Sequence, residues 1–297
     1  MSTPVISTSE SAYRSSPTNR RTRAEMLAIR EALREILAVD NPMTVRQVFY
    51  QAVGRGVIDK TEGEYKQTIV RLLTEMRRAG DIPFSWIADN TRWMRKPRTY
   101  HSLRGMLEVT KEAYRRALWD SQDSYVEIWL EKDALAGVLY EETATWDVPL
   151  MVTKGYPSVS YLHEAACSIR GQGKPAFLYY FGDHDPSGRD ITRATEAGLR
   201  EFAGDAQIQF QRVAVTEEQI ALWKLPTRPT KTTDSRKKNF EGESVEVDAI
   251  PSATLRALVK ACIEPHVDSR ELGRLAQIER QERETLERIL SGLEVRP

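Results

Sequence analysis

The sequence predicts an α/β protein in two parts: a helical first part, then an open parallel sheet flanked by helices. Three observations point there. Residues 21–80 carry apolar positions at helical spacing. From residue 125 onward, short apolar runs alternate with helical patterns, as βαβ units do. Residues 176–181 are apolar almost throughout, which suits a parallel strand buried on both faces. The chain has 297 residues, close to two domains at roughly 150 residues each.

Residues 1–20 are rich in Ser, Thr and Arg and are expected to form a disordered arm. Met26, Ile29, Leu33, Ile36 and Leu37 mark a first helix, which Asp40-Asn41-Pro42 breaks. Thr44 reads as an N-cap, and Val45, Val48, Phe49 and Val53 stripe a second helix ending near Gly54 and Gly56. A third helix opens near Thr61, close to a capping box, and runs through Tyr65, Ile69, Leu72, Leu73 and Met76 to Gly80. Residues 82–88 read as a β-like stretch before an Asp-Asn turn signal. Three helices and a β-ribbon predict a winged helix-turn-helix over residues 21–100, favoured over a plain helical hairpin. The later helix of such a domain enters the major groove. Arg71, Arg77 and Arg78 are therefore candidate DNA contacts, with Arg92, Arg95 and Lys96 of the wing region beside them.

Residues 101–120 read as one basic connecting helix. The sheet domain spans residues 121–265. Its strands are expected at 125–130, 150–153, 176–181 and 208–215, with helices at 133–142, 158–170, 187–202 and 216–223 between and after them. Residues 226–242 form a polar, basic loop whose Arg236, Lys237 and Lys238 suit DNA phosphates without sequence preference. Val245-Glu246-Val247 suggests a last strand, followed by a helix at 252–262 and a C-terminal helix within 266–297.

Charge is segregated although the formal net charge is zero. Residues 91–116 hold eight Lys/Arg against two acids, and residues 121–150 hold seven acids against one lysine. This suits a polyanion grip beside a cation site, or two solvated helix faces. The balance excludes a uniformly basic DNA-coating protein and an acidic disordered tail. No run of 18 apolar residues occurs, so no membrane span is expected, and the start lacks a secretory h-region. Cys167 and Cys262, far apart and outside any CxxC, fit buried thiols in a reducing, cytoplasmic and DNA-associated setting.

Ligands of open parallel sheets bind at the carboxyl ends of strands. Two such ends are acidic here: Leu130-Glu131-Lys132-Asp133 and Gly182-Asp183-His184-Asp185-Pro186-Ser187-Gly188. Asp183 and Asp185 are two apart, so in extended chain they share a face about 6–7 Å apart at Cα. His184 faces the other way. Carboxylates this close resist ionising together unless a cation intervenes. With Glu131 they make an all-oxygen set suited to Mg²⁺, or Mn²⁺ in its place. Asp248 is a weaker accessory candidate.

This pairing resembles a Toprim domain, the metal-binding module of topoisomerases, primases and some nucleases. Thr153-Lys154-Gly155-Tyr156-Pro157 and Leu130-Glu131-Lys132-Asp133-Ala134 resemble segments of the topoisomerase VI A subunit and its meiotic double-strand-break relative. Arg46-Gln47-Val48-Phe49-Tyr50 resembles that family's winged-helix signature, with Phe49 where the family has a first tyrosine. The resemblance implies that Tyr50 attacks DNA, leaving a 5′-phosphotyrosyl link and a free 3′ hydroxyl. Arg46, four residues earlier, shares a helix face with it. A phenol needs local positive charge or a base to act near pH 7. Arg46 can hold the phenolate or a phosphate oxygen, and Glu131 is a candidate proton carrier as well as a ligand. Lys132 is a further candidate DNA contact.

The expected activity is thus Mg²⁺-dependent cleavage of double-stranded DNA by a type IIB topoisomerase-like catalytic subunit. The family pairs one protomer's tyrosine with the other's metal, which implies a homodimer. No Gly-rich P-loop with Lys-Ser/Thr appears, so ATP-driven strand passage would require a separate B-type ATPase subunit. The alternatives are a Toprim metal-dependent nuclease with no covalent intermediate, and a non-catalytic DNA-binding replication or maintenance factor.

Overall fold

The computed structural model describes residues 21–88, 97–229 and 243–293. Arg92, Arg95, Lys96, Arg236, Lys237 and Lys238 lie outside the described residues, as does the expected N-terminal arm.

Three helices build the front of the described chain. Helix α1 spans Arg23–Val39 and buries Ile29, Leu33, Ile36 and Leu37, the predicted stripe. Its N-terminus is a full capping box between Thr22 and Glu25. Helix α2, Val45–Gly54, opens on a second box between Thr44 and Gln47 and buries Val48, Phe49 and Tyr50. Gly56 then takes φ +68°, a left-handed turn that glycine enters without strain. A π-helical stretch, Glu64–Val70, leads directly into α3, Arg71–Ala79. Thr61 Oγ1 accepts the Glu64 N–H at 3.1 Å, but the Glu64 carboxylate pairs with Arg21 instead of completing the box.

Residues 82–88 do not form the expected β-ribbon. Pro83 enters a single 3₁₀ turn, Phe84–Trp86. The extended remainder is an isolated bridge, Ile87 to Met43. Apolar side chains here serve packing, with Ile82 and Ile87 in the core. No strand occurs among the described residues of 21–88.

The connector is also shorter than expected. Helix α4 covers Leu103–Ala113 and gives way to extended chain before a 3₁₀ turn at Leu118–Ser121. The extended piece is held from outside: Tyr114 Oη donates to Glu282 at 2.6 Å and the Arg116 N–H to Glu279 at 3.0 Å. Tertiary partners thus override a helical propensity. Both acids belong to α10, Ser269–Gly292, the predicted C-terminal helix.

The back of the chain is a four-stranded, all-parallel sheet in the order β2-β1-β3-β4. The strands are β1 Tyr125–Leu130, β2 Leu150–Val152, β3 Ala176–Phe181 and β4 Ile208–Ala214. Helices α5 (Ala136–Thr145), α6 (Val159–Gln172) and α7 (Pro186–Ala203) connect them. Helices α8 (Glu217–Trp223) and α9 (Ser252–Ile263) follow. The helix expected from residue 133 begins with a 3₁₀ turn, Asp133–Leu135. The expected strand at Val245–Val247 is reduced to isolated bridges, His184–Val245 and Arg228–Ser244, before a 3₁₀ turn at Val247–Ala249. Every β1 residue is buried, consistent with a central strand covered on both faces. Among the described residues, no helix is long and apolar enough to cross a membrane.

In this order, the chain leaves β1 toward β2 on one side and returns to β3 on the other. That is the switch point where open α/β sheets form a crevice. Glu131 ends β1 and Asp183 follows β3, so the two acidic motifs meet at this crevice.

Candidate functional site

Leu130 and Phe181 are paired in register, and the Glu131 N–H donates to Phe181 O at 2.9 Å. The next backbone N–H of the facing strand end, that of Asp183, donates to Glu131 Oε2 at 3.2 Å. Close approach depends on glycine. A Cβ on Gly182 would lie 2.5 Å from Glu131 Oε2, and one on Gly188 would lie 2.1 Å from the Asp183 carbonyl oxygen. Arg212 of β4 holds the turn from below. Its guanidinium donates to the carbonyls of Gly182, Asp183 and Gly188.

Burial raises the Glu131 carboxyl to about 7, and the charges of Asp183 and Asp185 add to the rise. Asp183 is raised too, mainly by burial, against the pull of Lys132. Its Oδ1 accepts the Val247 N–H at 2.8 Å, and its Oδ2 lies 3.6 Å from Lys132 Nζ. Asp185 caps α7 by accepting the Gly188 N–H at 2.8 Å, and its other oxygen faces Arg228 at 3.7 Å.

The donor set fits a hard divalent cation, since all its atoms are carboxylate oxygens. Yet the three carboxylates do not close into a cage. Among the described residues, no group of three His, Cys, Asp or Glu is gathered for a metal ion. Asp183 and Asp185 are turned to their present partners.

Lys132 lies inside this site rather than on a free DNA-facing surface. Its ammonium sits 2.5 Å from Asp248, 3.1 Å from Glu246 and 3.6 Å from Asp183. Burial alone would lower it, but Asp248, Asp183 and Glu246 outweigh that and raise it. Glu246 is a hub: Arg228 approaches it at 2.8 Å, Lys132 at 3.1 Å and Arg46 at 3.7 Å. Burial favours its neutral form, but those three cations prevail and hold it below the usual carboxylate range.

Helix α2 brings Arg46 and Tyr50 to this hub from about 80 to 200 positions away in sequence. Its cap fastens it: Thr44 Oγ1 donates to Asp248 at 3.1 Å, and Gln47 Nε2 to Ile250 O at 3.4 Å. Arg46 also stacks on the Tyr65 ring at 4.2 Å. Tyr50 is only 5% exposed, tilted on Phe49 at 5.4 Å, with Lys60 Nζ 5.6 Å from its ring centre. Burial raises its phenol far above the ordinary value, and Glu246 adds to the rise against Arg46, Lys132 and Arg228. In this arrangement the phenol is protonated and shielded.

The candidate recognition-helix arginines stand apart. Arg71 pairs with Glu75 at 2.9 Å, Arg77 donates to Leu73 O and lies over Phe84, and Arg78 is exposed. His184 joins the site through its backbone, which bridges Val245.

Sequence reasoning gave Asp248 little weight and missed Glu246, Arg228 and Arg212. A usable signal existed. In Ser244-Val245-Glu246-Val247-Asp248 the two acids alternate with valines. Both valines are core residues, and Glu246 and Asp248 are themselves buried. Arg228 carries no such pattern, because a loop-base arginine looks like any solvated one.

No protein-family model matches the chain, and no curated protein matches it.

Proposed function

We propose that the chain cleaves DNA in a Mg²⁺-dependent reaction in which Tyr50 is the nucleophile, as in the A subunit of topoisomerase VI. The observation that carries this reading is the meeting of Arg46 and Tyr50 with the charged cluster at the β1/β3 crevice. A phenol, an arginine four residues before it and a set of strand-end carboxylates have no need to converge for folding alone.

Tyr50 Oη would attack phosphorus, form the phosphotyrosyl ester and break the bond to the 3′ oxygen. The phenolic proton must depart as the O–P bond forms, and Glu131 is the proposed carrier that passes it to the 3′ oxygen, which leaves as a hydroxyl. Arg46 would pair with a phosphate oxygen. Glu131, Asp183 and Asp185 would hold Mg²⁺, which when bound supplies positive charge for the phosphate and the departing oxygen. The shielded phenol requires α2 to loosen from Glu246 before attack. The homodimer implied by the resemblance would pair one protomer's Tyr50 with the carboxylate set of its partner across the duplex. The three front helices are read as the DNA-binding winged-helix part, and the sheet as Toprim-like.

The burial of Tyr50 favours a second reading, a metal-dependent nuclease that uses water and forms no covalent link. Denaturing capture of protein–DNA adducts separates them. Wild type with Mg²⁺ should yield adducts, while Tyr50→Phe, or EDTA, should yield none. Equal cleavage by Tyr50→Phe without adducts would establish the second reading.

A further inference from the structure

The geometry points to a phosphodiester-binding seat formed by Arg46, Lys132 and Arg228, which the chain's own Glu246 fills until a nucleic-acid phosphate replaces it. This deepens the DNA-cleaving reading and rests on it.

A carboxylate and a phosphodiester share the features that matter for such a seat. Each is a monoanion with two equivalent acceptor oxygens, the group that planar guanidinium forks match. Both Glu246 oxygens are engaged, Oε1 by Arg228 NH1 and Oε2 by Lys132 Nζ and Arg46 Nε. Three cations from three distant parts of the chain thus converge on one buried anion.

The exposures differ in a telling way. Glu246 is 7% exposed at its side chain, whereas Arg46, Lys132 and Arg228 are 30%, 29% and 35% exposed. The cations thus reach solvent more than the carboxylate they surround.

The backbone around the seat is held in place. The His184–Val245 bridge and the Val247 N–H bond to Asp183 pin the backbone on both sides of Glu246. Arg228 is pinned by its two backbone bonds to Ser244. Lys60 donates to the carbonyls of Pro226 and Thr227, just ahead of Arg228. Arg46, one turn before Tyr50 on α2, ties the helix that carries the proposed nucleophile to this seat.

The test is binding of the full chain to a fluorescein-labelled duplex of about 20 base pairs, by anisotropy, in EDTA over a salt series. Glu246→Gln keeps shape and removes the competing charge, and should bind about three- to ten-fold tighter. The surface control Glu196→Gln should show no comparable gain. Arg228→Ala should bind more weakly, with a log–log salt slope shallower by about one. Unchanged or weaker binding by a folded Glu246→Gln, or an equal gain in Glu196→Gln, overturns the inference. If Glu246→Gln does not fold, Arg228→Ala decides, and an unchanged affinity and slope overturns it. Wild-type binding that neither variant alters removes this seat but leaves the cleavage reading standing. Failure of every form to bind duplex overturns both.

Discussion

Glu127 lies at the centre of β1, 1% exposed, accepting bonds from Tyr125 Oη at 3.0 Å and Trp129 Nε1 at 2.8 Å. Burial raises its carboxyl to about 7, although the two donors oppose the rise. The folded chain therefore holds this proton more tightly than the unfolded chain, whose carboxyl titrates near 4.5. Its contribution favours folding most below that value, declines as pH rises toward 7 and is flat beyond. Glu131 acts in the same window. Urea unfolding of metal-free protein should thus show stability falling between about pH 4.5 and 7, with a shallower fall in Glu127→Gln. The amide meets two donors with one acceptor, so that variant should also lose about 1–3 kcal/mol at low pH. Gly182→Ala tests another residue-scale constraint. Its Cβ collides with Glu131 Oε2 and with Tyr180, so it should cost about 1–3 kcal/mol and abolish the proposed Mg²⁺-dependent cleavage.

Arg212 joins β4 to the turn between β3 and α7, so its removal is felt across elements. Arg212→Met leaves the carbonyls of Gly182, Asp183 and Gly188 without their donor. The expected loss is about 2–4 kcal/mol in urea unfolding, and Mn²⁺ affinity measured by calorimetry should fall with it. The sheet was legible at this scale. Strand β3 is an apolar run and β1 is one broken only by Glu127, and burial on both faces leaves few other readings. Helix α1 was legible from its apolar stripe, and α2 because Thr44 does cap it. The turn at Phe84–Trp86, the short α4 and the bridges around Ser244 were not, because distant partners decide them. Tyr114 and Arg116 bind α10, and Val245 binds His184. Glu131 and Asp183 stand out in the sequence because they follow strands, and Lys132 adjoins the first of them. Arg212 and Arg228 come from positions with no local signature.

One hydrophobic core runs from Ile29 on α1 to Leu275 on α10. Polar ties follow it: Asp40, at the end of α1, accepts the Ala253 N–H at 3.0 Å and pairs with Arg256 at 2.5 Å. These contacts tie the front and back parts of the described chain together. Far-UV circular dichroism and tryptophan fluorescence should report coincident urea transitions, and Asp40→Ala should shift both by about the same 1–2 kcal/mol. Separate transitions would contradict that coupling. Thr44 and Asp248, joined by a hydrogen bond, are 204 residues apart in the chain. A ribosome therefore delivers the phenol and its arginine long before the residues that restrain them. For most of its synthesis the nascent polypeptide holds them without Glu246 and Asp248, and the clasp closes only when that late segment has emerged.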